Sequence, residues 1–304
     1  MTRVVVVGDA LIDELRDDGG VREFVGGAAL NVAVGLARLG VRATLLAMVG
    51  DDEAGVRIRS YLADFGVDLI ASDSPLGSAR ATSTRSGGGE PEYVFNDASQ
   101  QRRIRFGEAE RAAMADAALV VVSCFAFDDP EQTRELVDAV EAAGATVAID
   151  PNPRSGMMRD KAEFVRGFED LAVRAALVKV GEDDAALLYG TRLDALRARL
   201  IDLGAGAVLA TEGSAGATIE TGDIVVTRPI SNLPGRIVDT MGAGDAAFAA
   251  TVAALIDGTP SGDEEWTRVL RSAMDAAAAT CRFEGALLRT PAALDGMDLD
   301  RIGT

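Results

Sequence analysis

Short apolar runs recur along this 304-residue chain at Val4–Val7, Ala43–Val49, Leu119–Ser123, Thr146–Asp150, Leu177–Val180 and Ala207–Thr211. Continuous runs of this length, rich in β-branched residues, suit strands that are covered on both faces. Helical patterns lie between them. Ala28–Leu39 stops at Gly40, Pro130–Ala143 at Gly144, Glu182–Tyr189 at Gly190 and Leu193–Leu203 at Gly204. A glycine there takes the left-handed backbone that closes a helix. Strands alternating with glycine-stopped helices predict βαβ units and a parallel α/β sheet. From about Ala246 to Phe283 the pattern is mostly helical, with Ser261 and Glu264 spaced as a capping box.

Two stretches break this rhythm. Asp13–Val25 is charged and then alternates Val21, Glu23, Val25. Ala79–Phe106 carries Ser86-Gly87-Gly88-Gly89-Glu90-Pro91 ahead of Tyr93-Val94-Phe95, the pattern of a hairpin with a glycine-rich turn. The expected division is an α/β core of 1–12, 27–78 and 107–304, with 13–26 and 79–106 forming a small β lid. Such a lid would exclude water from a reacting group.

The most informative motif is Val238-Asp-Thr-Met-Gly-Ala-Gly-Asp-Ala-Ala-Phe248, a glycine turn feeding a helix. Gly242, Ala243 and Gly244 can aim backbone N–H groups at one point, where the helix N-terminus adds positive partial charge. That suits an anion such as a transferring phosphoryl group. Asp245 would then accept the proton of the hydroxyl that receives it. Two other readings stand beside this one: Asp245 as a plain helix N-cap, and Gly242, Gly244 and Ala247 as a dinucleotide fingerprint.

Several chemistries are excluded. The chain has no histidine, so it has no Ser-His-Asp triad and no histidine zinc site. Its two cysteines, Cys124 and Cys281, are isolated and make no disulfide framework. The net charge of −18 argues against a nucleic-acid partner. No apolar run approaches the ~18 residues of a membrane span, and the opening run is too short for a signal peptide. The cytoplasm is the expected compartment. No G-x-x-x-x-G-K-[ST] run occurs, so a P-loop is absent.

Other polar residues cluster after strand ends, where parallel α/β sheets bind ligands. Asp9 and Asp13 follow the first run and suit a polyhydroxyl ligand. Asn31 is the one amide in the first turns of an apolar helix, to be satisfied by a sugar or by backbone capping. Asp150-Pro-Asn152-Pro-Arg154 leaves one strand end, and Lys179 with Glu182–Asp184 another. Those acids could hold waters around magnesium. Thr211, Gly213 and Gly216 could line a nucleotide pocket.

In this order the pieces resemble the PfkB (ribokinase-like) carbohydrate kinases, from about Val4 to about Pro291. Gly26-Gly-Ala-Ala-Leu-Asn31-Val-Ala-Val-Gly-Leu-Ala-Arg-Leu-Gly40 is similar to the family's N-terminal signature, and Asp239-Thr-Met-Gly-Ala-Gly-Asp245 to its C-terminal one. The resemblance implies a ribokinase-like fold, a doubly wound, mostly parallel α/β sheet flanked by helices with a small β-sheet lid, and it implies MgATP-dependent phosphorylation of a sugar hydroxyl and a homodimer formed through the lid. It makes Asp245 the base and Gly242, Ala243 and Gly244 the anion hole, with Arg154 near the transferring phosphate or the sugar. It gives Asp13, Gly27 and Asn31 to the sugar, and Lys179, Thr211, Gly213 and Gly216 to the nucleotide cleft. It also implies a monovalent cation, potassium, near Asp239. Where the family often has Asn-x-x-Glu for metal, this chain has Gly181 and Asp184, so Asp184 would act on magnesium through water. Met241 replaces the usual Thr. The first signature lacks the Gly-Gly-Lys-Gly lysine of ribokinases, which makes a neutral hexose, fructose, the leading substrate. Arg102, Arg103 and Arg105 count against that. 2-Keto-3-deoxygluconate, ribose and nucleosides are alternatives on the same fold. A dinucleotide oxidoreductase and a non-catalytic sugar-binding regulator are alternatives of other classes.

Overall fold

The computed structural model describes residues 3–17, 19–84, 92–256 and 258–295. Its main sheet has nine strands in the order β13-β12-β11-β10-β9-β8-β1-β4-β5. These are β1 Arg3–Gly8, β4 Arg42–Val49, β5 Asp68–Asp73, β8 Leu119–Ser123, β9 Thr146–Asp150, β10 Leu177–Gly181, β11 Ala207–Thr211, β12 Ala217–Thr221 and β13 Val225–Arg228. From β11 to β5 every pairing is parallel, while β11–β12 and β12–β13 are antiparallel. The edge strands β5 and β13, and β12 between β13 and β11, lie outside the apolar runs read above. They are only half buried, so their sequences carry polar residues that mask the strand signal.

Both faces of the sheet are covered, as the continuous runs require. Val4 and Val6 point into one apolar layer with the helices Ala28–Arg38, Ala243–Leu255 and Asp263–Thr280, while Val5 and Val7 point into the other with Leu136, Phe164 and Leu196. All four valines are fully buried, and each contributes about 1.5–3 kcal/mol by leaving water.

A second sheet of four strands is ordered β3-β2-β6-β7: β2 Leu11–Asp17, β3 Gly20–Gly26, β6 Ala79–Thr84 and β7 Glu92–Phe95. Here β2 runs antiparallel to β3 and parallel to β6, and β6–β7 is the antiparallel hairpin. The glycine-rich turn Ser86–Pro91 lies outside the described residues. Leu11, Ala79, Ala81 and Phe95 pack on Ala28, Cys124 and Met157, which seats this sheet against the core. Glu23 adds ion pairs to Arg57 and, at 2.7 Å, to Arg80.

Two local readings are corrected. The helix after β10 is α-helical only over Glu182–Asp184 and continues as a π-turn over Ala185–Tyr189. The N-cap after Thr259-Pro260-Ser261 is Gly262. Glu265 rather than Glu264 reaches back, accepting from the Ser261 N–H at 2.7 Å and its hydroxyl at 3.1 Å. With the cap one residue later, the carboxylate one turn on also shifts by one.

Candidate active site at the carboxyl edge of the sheet

The strand order fixes which residues meet. Moving along the carboxyl edge from β11 to β1, the chain presents Thr211, then Lys179 and Gly181, then Asp150, then Ser123 and Cys124, then Asp9. Cys124 and Asn152, just past two of these ends, are the non-glycine residues with positive φ (50° and 38°) among the described residues. Such backbone costs about 1–3 kcal/mol and collects at functional sites.

The glycine motif closes over this edge. Thr240–Ala243 is a tight turn in which the Ala243 N–H donates to the Thr240 carbonyl at 3.3 Å. Gly242 holds φ 74° and ψ 1°, the third position of a type II turn, which demands glycine. The Asp239 carboxylate locks it, accepting from the Met241 N–H and from the Gly285 N–H, both at 3.0 Å. The helix Ala243–Leu255 starts at once. This corrects one expectation: the Ala243 amide is turned inward by the turn and is not a free donor. Gly242, Gly244 and Asp245 have amides with no hydrogen bond among the described residues. Those N–H groups and the helix N-terminus form an anion cradle.

Asp245 stands in the first turn of that helix. Its Oδ2 accepts from Asn31 Nδ2 at 2.8 Å. Asn31 is carried on the helix Ala28–Arg38, whose start is held by Asp9. The Ala29 N–H donates to Asp9 Oδ1 at 3.0 Å and the Leu30 N–H to the Asp9 carbonyl at 3.2 Å. Burial pushes the Asp245 carboxyl above its ordinary range; the Asn31 hydrogen bond and the charges of Lys179 and Arg154 pull the other way. A carboxylate raised in this way is a better proton acceptor near neutral pH.

Lys179 and Asp150 form a buried ion pair, Nζ to Oδ2 at 3.0 Å. Burial pushes Asp150 up to about 7, with Lys179 opposing and Asp184 and Asp245 adding to the rise. Burial alone would lower the lysine, but Asp150, Asp184 and Asp245 hold it firmly protonated. A methyl group on Gly244 would lie 3.4 Å from Lys179 Nζ, so the ammonium flanks the anion cradle. Sequence reasoning assigned Lys179 to the nucleotide cleft; the fold puts its charge against the glycine turn. Arg154 opens to solvent, yet its charge acts on Asp245, Asp9 and Asp13.

Asp13 approaches from β2. It is pushed up to about 7 by burial and by Asp9, against Arg154. A Cβ on Gly26 would lie 2.1 Å from Asp13 Oδ2, and one on Gly27 (φ 108°) 2.9 Å from the Asp9 carbonyl. The missing side chains leave room for the Asp13 carboxyl group and the Asp9 backbone. Beside them a cavity is lined by Asp9, Met48, Ser99, Arg102, Cys124 and Met157. Arg102 points its guanidinium at the carbonyls of Ser99, Met157 and Phe125 at 3.3–3.4 Å, and its buried Nε has no partner. Arg103 pairs with Asp129, Glu131 and Glu135, and Arg105 with Asp73. Of the three arginines, Arg102 alone lines the cavity. Nothing in the run Arg102-Arg103-Ile104-Arg105 separates them, because the segment is neither helix nor strand.

On the other side, Thr211 Oγ1 donates to the Val180 carbonyl at 3.4 Å, and Gly213 (φ 52°) leaves open space around its Cα. Gly216 is packed, its absent Cβ falling 2.1 Å from the Arg228 carbonyl. Asp184 Oδ2 accepts from the Gly181 N–H at 2.6 Å. One carboxylate oxygen is thus committed to capping. Among the described residues no cluster of three acid or thiol side chains could hold a metal directly. The donor set suits an ion held through water by Asp184.

Residues 1–293 match the profile of the pfkB family carbohydrate kinases. The chain is 30% identical over 267 residues to a fructokinase of Rhizobium leguminosarum bv. trifolii, spanning 83% of this chain and 79% of that protein. It is 28% identical over 242 residues to 2-dehydro-3-deoxygluconokinase of Bacillus subtilis (strain 168), spanning 76% and 74%. Its fold is similar to that of the fructokinase with bound ATP from Xylella fastidiosa, with TM-score 0.79, 22% identity and 94% of each chain covered. It is also similar to aminoimidazole riboside kinase from Salmonella enterica complexed with aminoimidazole riboside and ATP analog, with TM-score 0.76, 24% identity and 97% and 99% covered.

Proposed function

The chain belongs to the pfkB family of carbohydrate kinases, and from this premise we propose that it transfers the γ-phosphate of MgATP to a hydroxyl of fructose. The observation that carries the reading is the convergence of Asp245, the free amides of the glycine turn and Lys179 on one point. In this reaction the sugar oxygen forms a bond to the γ-phosphorus, the bond to the β-phosphate oxygen breaks, and ADP departs. Asp245 takes the hydroxyl proton. The amides of Gly242, Gly244 and Asp245, with Lys179 and Arg154, meet the charge on the transferring group. Asp13, Gly27 and Asn31 orient the sugar. Thr211 and Gly213 line the nucleotide side, and Asp184 would hold, through water, the magnesium that arrives with ATP to neutralise phosphate charge. A potassium ion, if bound, would be held by the Asp239 segment, whose carboxylate oxygens already accept from the Met241 and Gly285 N–H groups. Residues 13–26 and 79–106 close as a lid, and exposed Val21, Tyr93 and Val94 on that sheet support a homodimer built there. The compartment is the cytoplasm.

A second reading is favoured by Arg102. An arginine with an unpartnered buried Nε on the cavity wall suits a carboxylate on the sugar, as in 2-keto-3-deoxygluconate. The deciding assay is ADP release from MgATP with fructose, ribose, 2-keto-3-deoxygluconate, adenosine and fructose 6-phosphate, with and without potassium. Turnover on fructose that Asp245→Asn abolishes, with ATP binding retained, supports the first reading. Preference for the sugar acid, lost in Arg102→Gln, supports the second. Full turnover in Asp245→Asn removes the proposed base.

A further inference from the structure

Just beyond the helix Asp263–Thr280, three consecutive residues each touch a different part of the molecule. Glu284 forms an ion pair with Arg22 of β3, in the small sheet. The Gly285 N–H donates to Asp239 Oδ2 at 3.0 Å, and the other oxygen of that carboxylate accepts from the Met241 N–H at 3.0 Å. Ala286 lies against Gly242, where a Cβ would fall 2.6 Å from the Ala286 Cα. The small sheet also meets Gly285 directly. A Cβ there would lie 3.7 Å from Phe24 Cδ1, so the ring of Phe24 rests beside bare backbone. Gly285 holds φ 81°, which favours glycine at this contact. Residues 284–286 thus bridge the small sheet to the turn whose amides make the anion cradle.

The far end of this bridge is tied to Asp13. Phe24 is the register partner of Asp13 across β3 and β2, and Arg22 is that of Leu15. Directly opposed residues of an antiparallel pair share a face, as do residues two apart on one strand. Asp13, Arg22 and Phe24 therefore stand on one face, the face turned toward the core. Glu23 points the other way, to Arg57 and Arg80. The ladder hydrogen bonds make β2 and β3 move together. A shift that brings Asp13 to a ligand carries Phe24 and Arg22 with it. The Arg22–Glu284 pair is half-exposed and contributes little by itself. Its place in the fold matters more, since it joins two groups that must be in register when a phosphoryl group moves.

We propose that Phe24 and the Arg22–Glu284 pair are positioning residues that couple a sugar held at Asp13 to the amide donors of the glycine turn, so that the cradle is complete only when β3 is seated on Gly285. This rests on the kinase reading above. Displacing β3 withdraws Phe24 from Gly285 and Arg22 from Glu284. The Gly285–Asp239 bond then loosens, and with it the lock that the same carboxylate puts on Met241. The coupling runs both ways: the factor by which the sugar tightens nucleotide binding is the factor by which the nucleotide tightens sugar binding.

The test is calorimetric titration of a non-hydrolysable MgATP analogue into the full chain, with and without saturating fructose, or 2-keto-3-deoxygluconate should turnover select the sugar acid. The ratio of the two dissociation constants is the coupling factor. Wild type is expected to show a factor of about five or more. Phe24→Ala should bring it near one. Glu284→Gln and Arg22→Gln should each lower it roughly two- to five-fold, the range of a half-exposed ion pair. The two charge changes combined should lower it no further than either alone, because both remove one contact. Both charge variants should melt like wild type, which keeps the readout apart from folding. Full coupling in folded Phe24→Ala and Glu284→Gln, or a wild-type factor of one with both ligands bound, overturns the proposal and leaves the kinase reading standing. Failure of wild type to bind the nucleotide analogue at all overturns both.

Discussion

Asn31 Nδ2 lies 2.8 Å from Asp245 Oδ2, joining the two glycine signatures across 214 positions of sequence. The amide holds the carboxylate in its ionised form and fixes which oxygen faces the cleft. Asn31→Leu removes the donor and leaves burial unopposed by that bond, so the Asp245 carboxyl rises further. A base must be ionised to work. The acid limb of the pH profile of kcat/KM should therefore move to higher pH, with kcat reduced at neutral pH and partly recovered in alkali. A limb that stays in place would show that Asn31 serves only the sugar.

Gly242 and Gly244 should respond differently to one methyl group. At Gly242 a Cβ would lie 2.6 Å from the Cα and Cβ of Ala286, on a backbone with φ 74°. Gly242→Ala should unwind the turn, lowering kcat by roughly 10²–10³-fold as a cradle donor is displaced and reducing the melting temperature. At Gly244 the nearest atom is the flexible end of Lys179 at 3.4 Å. Gly244→Ala should melt like wild type. Steady-state kinetics and a thermal scan of both variants check this contrast.

The Lys179–Asp150 pair predicts a split between stability and activity. Lys179→Met strands a buried carboxylate, which costs about 3–5 kcal/mol when it is ionised. Asp150 is neutral well below about 7. The loss in denaturant midpoint should thus be larger at pH 8 than at pH 6. The double change Lys179→Met with Asp150→Leu removes both charges and should regain most of the stability. Turnover should stay low in both, because the ammonium beside Gly244 is gone. Recovery of turnover in the double variant would assign the lysine a purely structural role.

Asp13 trades stability for binding. Its folded-state carboxyl is raised to about 7, against an ordinary value of 3.8. A group raised in this way contributes its stability below 3.8 and loses it as pH rises through 7. At pH 8 the ionised Asp13 is therefore a burden on the fold. Asp13→Asn should raise the melting temperature at pH 8 by about 2–4 °C for each kcal/mol relieved, and by less at pH 5. The same change should raise KM for the sugar. An unchanged melting temperature at pH 8 would mean that solvent in the cleft already relieves the charge.

The fold was legible where neighbouring residues decide it. The valines at positions 4–7 carry β-branched side chains on both faces, so they announce a doubly covered strand wherever the chain goes. Gly144, Gly190 and Gly204 close helices in left-handed backbone, as their positions suggested. The half-buried edge strands and the π-turn after Asp184 were not legible, since neither has a pattern of its own. The glycine turn was visible as an anion cradle, but its donor set was not. Which amides stay free depends on Thr240 accepting from Ala243.

What the sequence determined by itself is local: element types, helix ends, the glycines a tight turn needs, and the absence of histidine, which removes an imidazole base. The tertiary structure alone decided the pairings. Asn31 meets Asp245, and Lys179 meets Asp150 beside the glycine turn. Arg102 faces the cavity while Arg103 and Arg105 meet surface acids. Periodicity and turn chemistry act over a few residues, whereas these contacts depend on the order in which nine strands lie side by side, and that order is set by packing both faces of the sheet at once.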